Sequence, residues 1–248
     1  MTIFNKIKTF ISGGAPKEKD AAEAYDLWAF TYDDQPDNLT LAMENELFSE
    51  LFNKADITGK IVADIGCGTG RHWPAIIKEN PHRLIGYDVS AGMLEALHKK
   101  FPQAETYQPD GFRLPELSDQ SVDILFSTLA LAHMPELQHV LAEWDRVLKP
   151  GAAIIITDYH PEALIRGGNR TFTHNNKLIA IKNYVYPITE IRACARWLQW
   201  QEEFFKERLI DDTVKHFYEK KNALHVFERF KGIPLVYGIY LKKADAAA

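Results

Sequence analysis

The sequence D-I-G-C-G-T-G at residues 64–70 constrains the fold more than any other part of the chain, because it ends an apolar run at 61–63 with three alternating glycines. Glycine has no Cβ, so the backbone can turn sharply there and approach a ligand closely. The dinucleotide fingerprint G-x-G-x-x-G requires glycine where Arg71 stands, and no phosphate loop ending in Gly-Lys-Ser/Thr occurs. The pattern predicts a strand followed by a ligand-contacting turn. For this motif alone, a plain turn of another α/β domain remains the alternative.

Composition limits the classes of protein that remain. A chain of 248 residues is long enough for one domain with additions, and a second full domain would be cramped. The net charge of −5 and the pI near 6.0 offer no large basic surface for nucleic acid. Cys67 and Cys194 allow neither a disulfide framework nor paired C-x-x-C metal sites, which predicts a reducing, cytoplasmic location. No apolar run approaches the roughly 18 residues of a membrane span, so none is predicted.

Short β-rich runs alternate with helical periodicity after residue 60, as in a parallel sheet with helices on both faces. Ser90 is expected to cap the second of the helices between these strands. The predicted strands are 60–65, 83–87, 104–107, 122–126 and 152–158, and the predicted helices are 71–78, 90–100 and 135–148.

The chain changes pattern after the fifth predicted strand. Glycines at 167–168 interrupt it, and an alternating stretch at 177–185 predicts an inserted β-hairpin or edge strand. A helix capped by Thr189 is expected to follow. Two late strands, at about 198–205 and 234–242, complete a seven-stranded sheet.

Helices are predicted upstream of the glycine turn. Tyr25, Trp28 and Tyr32 recur on one helical face, and a second helix is predicted for 39–52. A short amphipathic helix at 3–11 is expected to pack on its own domain, and a membrane-surface helix is the alternative.

Polar and small residues recur where the predicted strands end. Asp64 closes the first strand, and Asp88 follows the second, 22 residues after Gly66, a spacing suited to a carboxylate that accepts two ribose hydroxyls. The segment 110–112 follows the third strand and Ser127 follows the fourth. Parallel strands place their carboxyl ends at one edge, so we expect these residues to converge on one nucleoside-bearing ligand. A solvated loop charge is the alternative for Asp88.

Four segments together carry a family resemblance: G-C-G-T-G-R-H at 66–72, G-Y-D-V-S-A-G-M-L at 86–94, A-H-M-P at 132–135 and R-V-L-K-P-G at 146–151. The chain resembles the small-molecule, type 11-like branch of the class I S-adenosylmethionine (SAM) dependent methyltransferases, strongly over about 60–160 and loosely in its flanks. The resemblance implies a Rossmann-like, seven-stranded, mostly parallel sheet with helices on both faces and the last strand antiparallel. It also implies N-terminal lid helices at 1–55 and a SAM-binding domain at 56–248, with an insertion at about 160–188.

The same resemblance implies which residues hold the methionine end of SAM. Carboxylates and backbone groups suit the ammonium group at this end, and aromatic faces suit the positive sulfonium. The lid rings of Tyr25 and Tyr32 would cover the sulfonium, whereas Trp28 is at least as well explained by packing on the sheet. The other residues implied here are Asp64, Gly66, Cys67, Gly68, Gly70 and Ser127.

A second set of residues is implied for the nucleoside of SAM. Asp88 would accept the ribose hydroxyls, and Asp110 would accept from the adenine amino group. Apolar side chains suit a purine ring, although Met93 is equally well explained as ordinary helix core. The remaining residues implied beside the adenine are Val89, Met93, Gly111 and Phe112.

Candidates for catalysis or contact with the methyl acceptor lie mostly outside the shared motifs. His160 follows the fifth strand, where sites gather, and Arg170 suits a bidentate contact with an acidic acceptor. Each histidine has a structural or solvent-exposed alternative, and Arg170 has a surface-charge alternative. The histidines have no spacing that fixes metal ligands, so no metal is predicted. The candidates are Tyr32, His133, His160, Arg170 and His174.

These patterns predict a cytoplasmic enzyme that transfers a methyl group from SAM to a small organic acceptor and releases S-adenosylhomocysteine, as a monomer or homodimer. A nucleic-acid amine methyltransferase would carry Asn/Asp-Pro-Pro-Tyr/Phe after the fourth strand, where this chain reads S-T-L-A at 127–130. One alternative is a SAM-binding protein that does not transfer methyl. Another, a nicotinamide-dependent oxidoreductase, is disfavoured by the glycine spacing.

Overall fold

The computed structural model describes residues 17–168 and 170–245. The strands of this part of the chain are β1 Lys17–Lys19, β2 Ile61–Ile65, β3 Arg83–Tyr87, β4 Glu105–Tyr107, β5 Val122–Thr128, β6 Leu148–Tyr159, β7 Thr171–His174, β8 Lys177–Ile181, β9 Trp200–Leu209 and β10 Pro234–Lys243. The helices are α1 Ala21–Trp28, α2 Leu39–Phe52, α3 Trp73–Lys78, α4 Ala91–Lys100, α5 Leu137–Val147, α6 Pro161–Ile165, α7 Ile188–Trp197, α8 Lys215–Glu219 and α9 Leu224–Phe230, with short 3-10 turns at Ala29–Thr31, Leu131–His133 and Asp212–Val214.

Seven strands form one sheet in the order β4-β3-β2-β5-β6-β10-β9. All neighbours from β4 to β6 are parallel, whereas β10 is antiparallel to both β6 and β9. The chain passes from β2 outward to β3 and β4, then returns to place β5 on the other side of β2. This reversal of strand order leaves a crevice at the carboxyl ends of β2 and β5, the usual place for a ligand. The predicted fold class is confirmed.

Apolar residues cover both faces of this sheet, which explains why its central strands are almost continuously apolar. On one face, α2 places Leu47 and Phe48 against Phe126 of β5. On the other face, α5 presents Val140 and Trp144. Asn38 accepts from the amide of Leu41 at 3.2 Å and so caps α2, and Ser90 caps α4 as predicted, by accepting from the amide of Met93 at 3.1 Å.

A separate layer, here called the cover, consists of β1, β7, β8, α1 and the 3-10 turn Ala29–Thr31. β8 pairs antiparallel with β7 and parallel with β1, which confirms a hairpin in the insertion and adds an N-terminal strand to it. Trp28 of α1 stacks on Phe172 of β7 with ring centroids 4.7 Å apart. Ile179 and Ile181 of β8 complete this small apolar core. The N-terminal helix and the insertion therefore form one packed unit.

Several expected boundaries were wrong. The late strand predicted for about 198–205 runs from Trp200 to Leu209. The fifth strand of the main sheet begins at Leu148, not 152, because Leu148 already pairs with Val122 across an irregularity in register that absorbs 149–151. Thr189 lies inside α7, whose N-cap is Pro187, so the extended backbone of proline starts the helix in place of a hydroxyl. The expectations for 1–16, Asn169 and 246–248, including the helix at 3–11, lie outside the described residues.

The glycine turn after β2 depends on the absence of a side chain at Gly66. The amides of Gly66 and Cys67 both donate to the carbonyl of Tyr87, at 2.7 and 3.0 Å, which ties the turn to the end of β3. Gly66 has φ +79°, and a Cβ there would stand 2.3 Å from the Cβ of Ala130. The turn and the segment after β5 therefore touch at this glycine.

Replacing Gly66 with alanine is expected to lower the free energy of unfolding by about 2–4 kcal/mol, because left-handed strain and the clash with Ala130 add. Gly68→Ala is the matched control: Gly68 has φ +54°, but a Cβ added there would meet nothing within 4 Å, so a loss of about 1–2 kcal/mol is expected. Urea unfolding measures both changes. Equal losses in the two variants would contradict the close approach.

Candidate functional site

A cavity of about 300 Å³ opens where the carboxyl ends of β2, β3 and β5 meet the cover. Gly66, Gly68 and Asp88 form its floor on one side, and Leu129 and Ala130, which follow β5, lie beside them. The N-terminal segment contributes Tyr25 of α1 and Tyr32, which follows the 3-10 turn, and the insertion contributes Arg170 and Lys182. Further residues of this wall include Asp20, Ile65, Tyr87, Val89, Met93, Gly111, Phe112, Thr128, His133, Met134, Trp144 and Tyr184.

Asp88 joins the glycine turn to the next strand. Its Oδ2 accepts from the amide of Gly68 and its Oδ1 from the amide of Ser90, both at 2.8 Å. Burial raises the pKa of Asp88 to about 6, and these two amides oppose the rise by stabilising the ionised form. The carboxylate is therefore fixed in direction at the cavity wall and is ionised above pH 6.

Asp64 lies beneath the turn, where the cavity wall does not include it. Trp73 donates its indole N–H to Oδ2 of Asp64 at 2.9 Å, whereas Oδ1 is buried without a hydrogen-bond partner among the described residues. Burial raises the pKa of Asp64 to about 7, and the charge of Asp88 adds to the rise. Asp64 thus has one oxygen left for a further donor.

A network of hydrogen bonds lies on the cover side of the cavity. Arg170 donates to the hydroxyl of Tyr25 at 2.5 Å, to that of Tyr32 at 2.9 Å and to the carbonyl of Leu129 at 3.2 Å. The hydroxyl of Tyr25 also lies 3.0 Å from Nε2 of His133. Arg170 is 3% exposed, so it is held inside the protein and not on the surface.

His133 takes a defined orientation in this network. Its Nδ1 lies 2.9 Å from the carbonyl of Lys182, which accepts only, so Nδ1 carries the proton and Nε2 accepts from Tyr25. Burial lowers the pKa of His133 to about 4, and the positive charge of Arg170 acts in the same direction. The imidazole is therefore neutral at neutral pH.

Two carboxylates, Asp26 in the cover and Asp33 just after it, attach the N-terminal segment to the glycine-turn side of the sheet. Asp26 of α1 accepts from the hydroxyl of Ser90 at 2.6 Å and from the amide of Gly92 at 2.9 Å, at the start of α4. Asp33 accepts from the hydroxyl of Thr69 in the glycine turn at 2.7 Å. Because an acidic side chain is favourable at a helix N-terminus, the first contact also stabilises α4.

A buried ion cluster lies on the opposite side of the glycine turn. Glu44 of α2 pairs with Arg71, lies 3.3 Å from Nε2 of His72 and accepts from the hydroxyl of Thr157 at 2.6 Å. Burial opposes ionisation of Glu44, but Arg71 and His72 outweigh it and lower its pKa to about 2. The turn is thus anchored from below while its glycines face the cavity.

The structure brings most of the sequence-derived candidates to this one cavity and leaves some outside it. His160 accepts from the amide of Glu162 at 3.1 Å and contacts Glu207 at 3.0 Å, so it caps α6 instead of lining the cavity. His174 lies at the end of the insertion hairpin beside Asn175. Those in the cavity wall are Tyr25, Tyr32, Gly66, Gly68, Asp88, Val89, Met93, Gly111, Phe112, His133 and Arg170. Those outside it are Asp64, Cys67, Gly70, Asp110, Ser127, His160 and His174.

Several wall residues went unnoticed in the sequence. Leu129 takes a left-handed conformation, φ +53°, which turns the chain over the end of β5 and directs its carbonyl toward Arg170. Met134, Lys182 and Tyr184 also reach the cavity. Leu129 carries no sequence signal for this conformation. The second wall was indicated by the aromatic residues Tyr25 and Tyr32 and by the alternating segment after 177, but Met134, Lys182 and Tyr184 were not singled out.

Comparison with protein families places a methyltransferase domain at residues 63–156. A malonyl-[acyl-carrier protein] O-methyltransferase from Yersinia pestis is 39% identical over 103 residues, which cover 40% of this chain and 37% of that protein. A ubiquinone/menaquinone biosynthesis C-methyltransferase, UbiE, from Campylobacter jejuni is 33% identical over 115 residues, covering 44% of this chain and 47% of that protein. The chain therefore matches less than half the length of each of these relatives.

Solved structures share the fold at low sequence identity. A SAM-dependent methyltransferase from Mesorhizobium loti superposes with a TM-score of 0.62 at 16% identity, covering 79% of this chain and 97% of that one. The [4+2]-cyclase SpnF superposes with a TM-score of 0.67 at 17% identity, covering 94% of this chain and 98% of that one.

The chain carries a methyltransferase domain of the class I, SAM-dependent type, so the recognition made from its motifs is confirmed. The predicted cofactor of such a domain, SAM, is confirmed with it. Within the described residues, none of the helices has the length and apolar character needed to cross a bilayer.

The raised pKa of Asp64 predicts a specific dependence of stability on pH. The carboxyl binds a proton more tightly in the folded chain, pKa about 7, than at its ordinary value of 3.8, so its stabilising contribution is complete below pH 4 and lost as pH rises through 7. We expect Asp64→Asn to reduce this fall by up to about 4 kcal/mol, measured by urea unfolding between pH 4 and 8.

The control for this experiment is Asp119→Asn, which changes an exposed carboxylate paired with Arg146 and should leave the slope unchanged. Buried Asp88 and Asp158, whose pKa values burial raises to about 6, contribute in the same direction in every variant. A wild-type slope in Asp64→Asn would show that burial of this carboxyl does not carry the effect.

Proposed function

We propose that this protein transfers a methyl group from SAM to a small organic acceptor and releases S-adenosylhomocysteine. The observation that carries the proposal is the cavity itself, which joins the glycine turn and Asp88 to an aromatic cover at the switch in strand order. The methyltransferase domain at 63–156 supplies the floor of that cavity. The proposal assigns to the whole chain the methyl transfer that is stated in the names of its relatives.

The residues present fit SAM. When bound, SAM supplies a methyl group that its positive sulfur has already activated. Asp88 offers a directed carboxylate for ribose hydroxyls, and the unpartnered Oδ1 of Asp64 suits an ammonium donor reached through the turn. Gly68 has open space beyond its missing Cβ, so a ligand can approach its backbone. Val89 and Met93 offer apolar contact beside Asp88.

The chain's own contribution is positioning and exclusion of water. The cover closes the cavity opposite the glycine turn, held there by Asp26 and Asp33. His133 is neutral and its Nε2 already accepts from Tyr25, so this histidine orients Tyr25 and is a weak proton acceptor. The site therefore suits an acceptor that arrives without a proton to lose.

The acceptor is a small molecule with apolar surface, because most of the wall that the cofactor motifs do not supply is apolar. Leu129, Met134 and Tyr184 line this part. The names of the relatives, which refer to a malonyl-acyl carrier and to quinone biosynthesis, agree with small-molecule methylation. Two buried free cysteines, Cys67 and Cys194, support a reducing cytoplasmic location. A monomer or homodimer remains our proposal for the assembly.

A second candidate function is a SAM-binding protein that performs other chemistry. The structural neighbour SpnF is named a [4+2]-cyclase, and its superposition on 94% of this chain shows that the fold alone does not decide for methyl transfer. This candidate predicts SAM binding without formation of S-adenosylhomocysteine.

Asp88→Ala is expected to weaken SAM binding by about 1–3 kcal/mol, because two ribose hydroxyls lose their acceptor. Calorimetric titration with SAM measures the change. Asp119→Ala, at an exposed carboxylate outside the cavity wall, is the control and should bind SAM as the wild type does. An unchanged affinity in Asp88→Ala would contradict the placement of the ribose.

Turnover tests the proposal against its rival. Folded protein incubated with SAM and a panel of small acids, phenols and amines is expected to release S-adenosylhomocysteine with at least one acceptor class, detected by mass spectrometry. SAM binding without release across the panel and a metabolite extract would favour the second candidate. Absence of SAM binding would overturn both.

A further inference from the structure

Arg170 is a buried cation without an anionic partner in the part of the chain that the structure describes. Its side chain is 3% exposed and lines the cavity, and its three hydrogen bonds within that part go to neutral oxygens of Tyr25, Tyr32 and Leu129. A guanidinium has five N–H donors, so two remain for another acceptor. Burying a charge is costly unless an opposite charge accompanies it. The surroundings of Arg170 are therefore incomplete.

Among the described residues, no carboxylate forms a hydrogen bond or an ion pair with the guanidinium of Arg170. Asp158 lies close enough for the charge of Arg170 to oppose the rise in its pKa. Its oxygens, however, accept from the backbone amides of Ala132 and Tyr159, at 2.6 and 2.7 Å. Aromatic rings surround the guanidinium instead: its carbon lies 5.5 Å from the ring centre of Tyr25 and 5.6 Å from that of Trp28. Such rings favour a cation and hold the guanidinium in place without neutralising it.

The position of Arg170 favours the acceptor over the cofactor as the source of the anion. Arg170 belongs to the insertion, outside the shared methyltransferase domain at 63–156, which suits it to the ligand that differs among relatives. Its guanidinium contacts Leu129 after β5 and lies 6.0 Å from the ring centre of Tyr159 in β6. Asp88 lies at the end of β3, two strands away from β5, and neighbouring strands are about 4.8 Å apart.

We propose that Arg170 binds a carboxylate of the methyl acceptor, so that the substrates of this protein are small apolar acids. This inference rests on the proposed function. A single guanidinium matches a singly charged carboxylate, and its planar fork fits both oxygens. A phosphate dianion would need a second cation, but Lys182, the other basic residue of the wall, already faces Asp20 at 3.4 Å.

The first test uses the wild-type protein saturated with S-adenosylhomocysteine. Calorimetric titrations compare benzoate, phenylacetate, hexanoate and octanoate with the corresponding primary amides and with inorganic phosphate. We expect at least one acid to bind about ten- to hundredfold more tightly than its amide, because a charged hydrogen bond to guanidinium is lost in the amide. Amides that bind as tightly as their acids, an absence of binding by all four acids, or preferential binding of phosphate would each overturn the proposal.

The second test assigns the effect to Arg170. Arg170→Gln is expected to remove the preference for acid over amide, and Arg170→Lys to retain part of it. Arg166→Gln is the matched control, because Arg166 belongs to the same insertion but is exposed and paired with Glu162. A full acid preference in Arg170→Gln would overturn the proposal. If Arg170→Gln fails to fold, the comparison of Arg170→Lys with the wild type decides, since the preference must change there and stay constant in Arg166→Gln.

The third test excludes the cofactor's own carboxylate as the ligand. 5′-Methylthioadenosine lacks the amino-acid part of S-adenosylhomocysteine, so the ratio of the two affinities reports contacts to that part. We expect Arg170→Lys to leave this ratio unchanged, and a ratio altered by about tenfold or more would assign Arg170 to the cofactor and overturn the proposal. Failure of S-adenosylhomocysteine to bind the wild type would instead count against the proposed function.

Discussion

The guanidinium of Arg170 is the point on which the closed cavity depends. It joins the insertion, which carries it, to the N-terminal segment through the hydroxyls of Tyr25 and Tyr32 and to the end of β5 through the carbonyl of Leu129. These three parts of the chain are far apart in sequence and meet around one planar group. A flexible side chain with a single donor could not hold them together in the same way, because only the guanidinium presents several donors in one fixed plane.

The opposite side of the cavity is organised by carboxylates. Asp88 fixes the glycine turn, Asp26 fixes the start of α4 to the cover, and Glu44 anchors the turn from below. Each is buried or directed by backbone amides, so this side of the site is held by charges that are already oriented, and Asp88 is the one of the three that lines the cavity. The side that we propose for the cofactor thus carries the carboxylate of Asp88, and the side that we propose for the acceptor carries the guanidinium of Arg170, so the two ligands would be separated by charge as well as by shape.

Local pattern was enough to predict the parts of the site that depend on backbone geometry. The turn at 64–70, the strand that ends before Asp88 and the helix 39–52 follow from glycine spacing, apolar runs and helical periodicity, and each occurs in the structure. His160 shows where such reasoning stops. His160 follows a central strand, as a catalytic residue would. Its Nδ1 instead accepts a hydrogen bond from the amide of Glu162, so the imidazole caps α6.

The cavity wall supplied by the insertion was harder to foresee. Nothing in the sequence fixes the distance between Arg170 and Tyr25, because their contact depends on how the hairpin packs on α1 through Trp28 and Phe172. The left-handed conformation of Leu129 is likewise imposed by its surroundings: its amide donates to the carbonyl of Thr157 at 2.7 Å while its own carbonyl accepts from Arg170. Tertiary packing, and not local propensity, creates this half of the site.

The pairing of β1 with β8 has a consequence for the order in which the parts of the molecule fold. Lys17 is synthesised before β2 to β6, whereas its partner Ile179 is synthesised only after all of them. The parallel strands β2 to β6 are therefore synthesised before the cover is complete. β1 and β8, the two strands of the cover that pair, must then come together across the sheet. Closing so long a loop is slow compared with forming the helices and hairpin on either side of it, so we expect the cover to assemble late in folding.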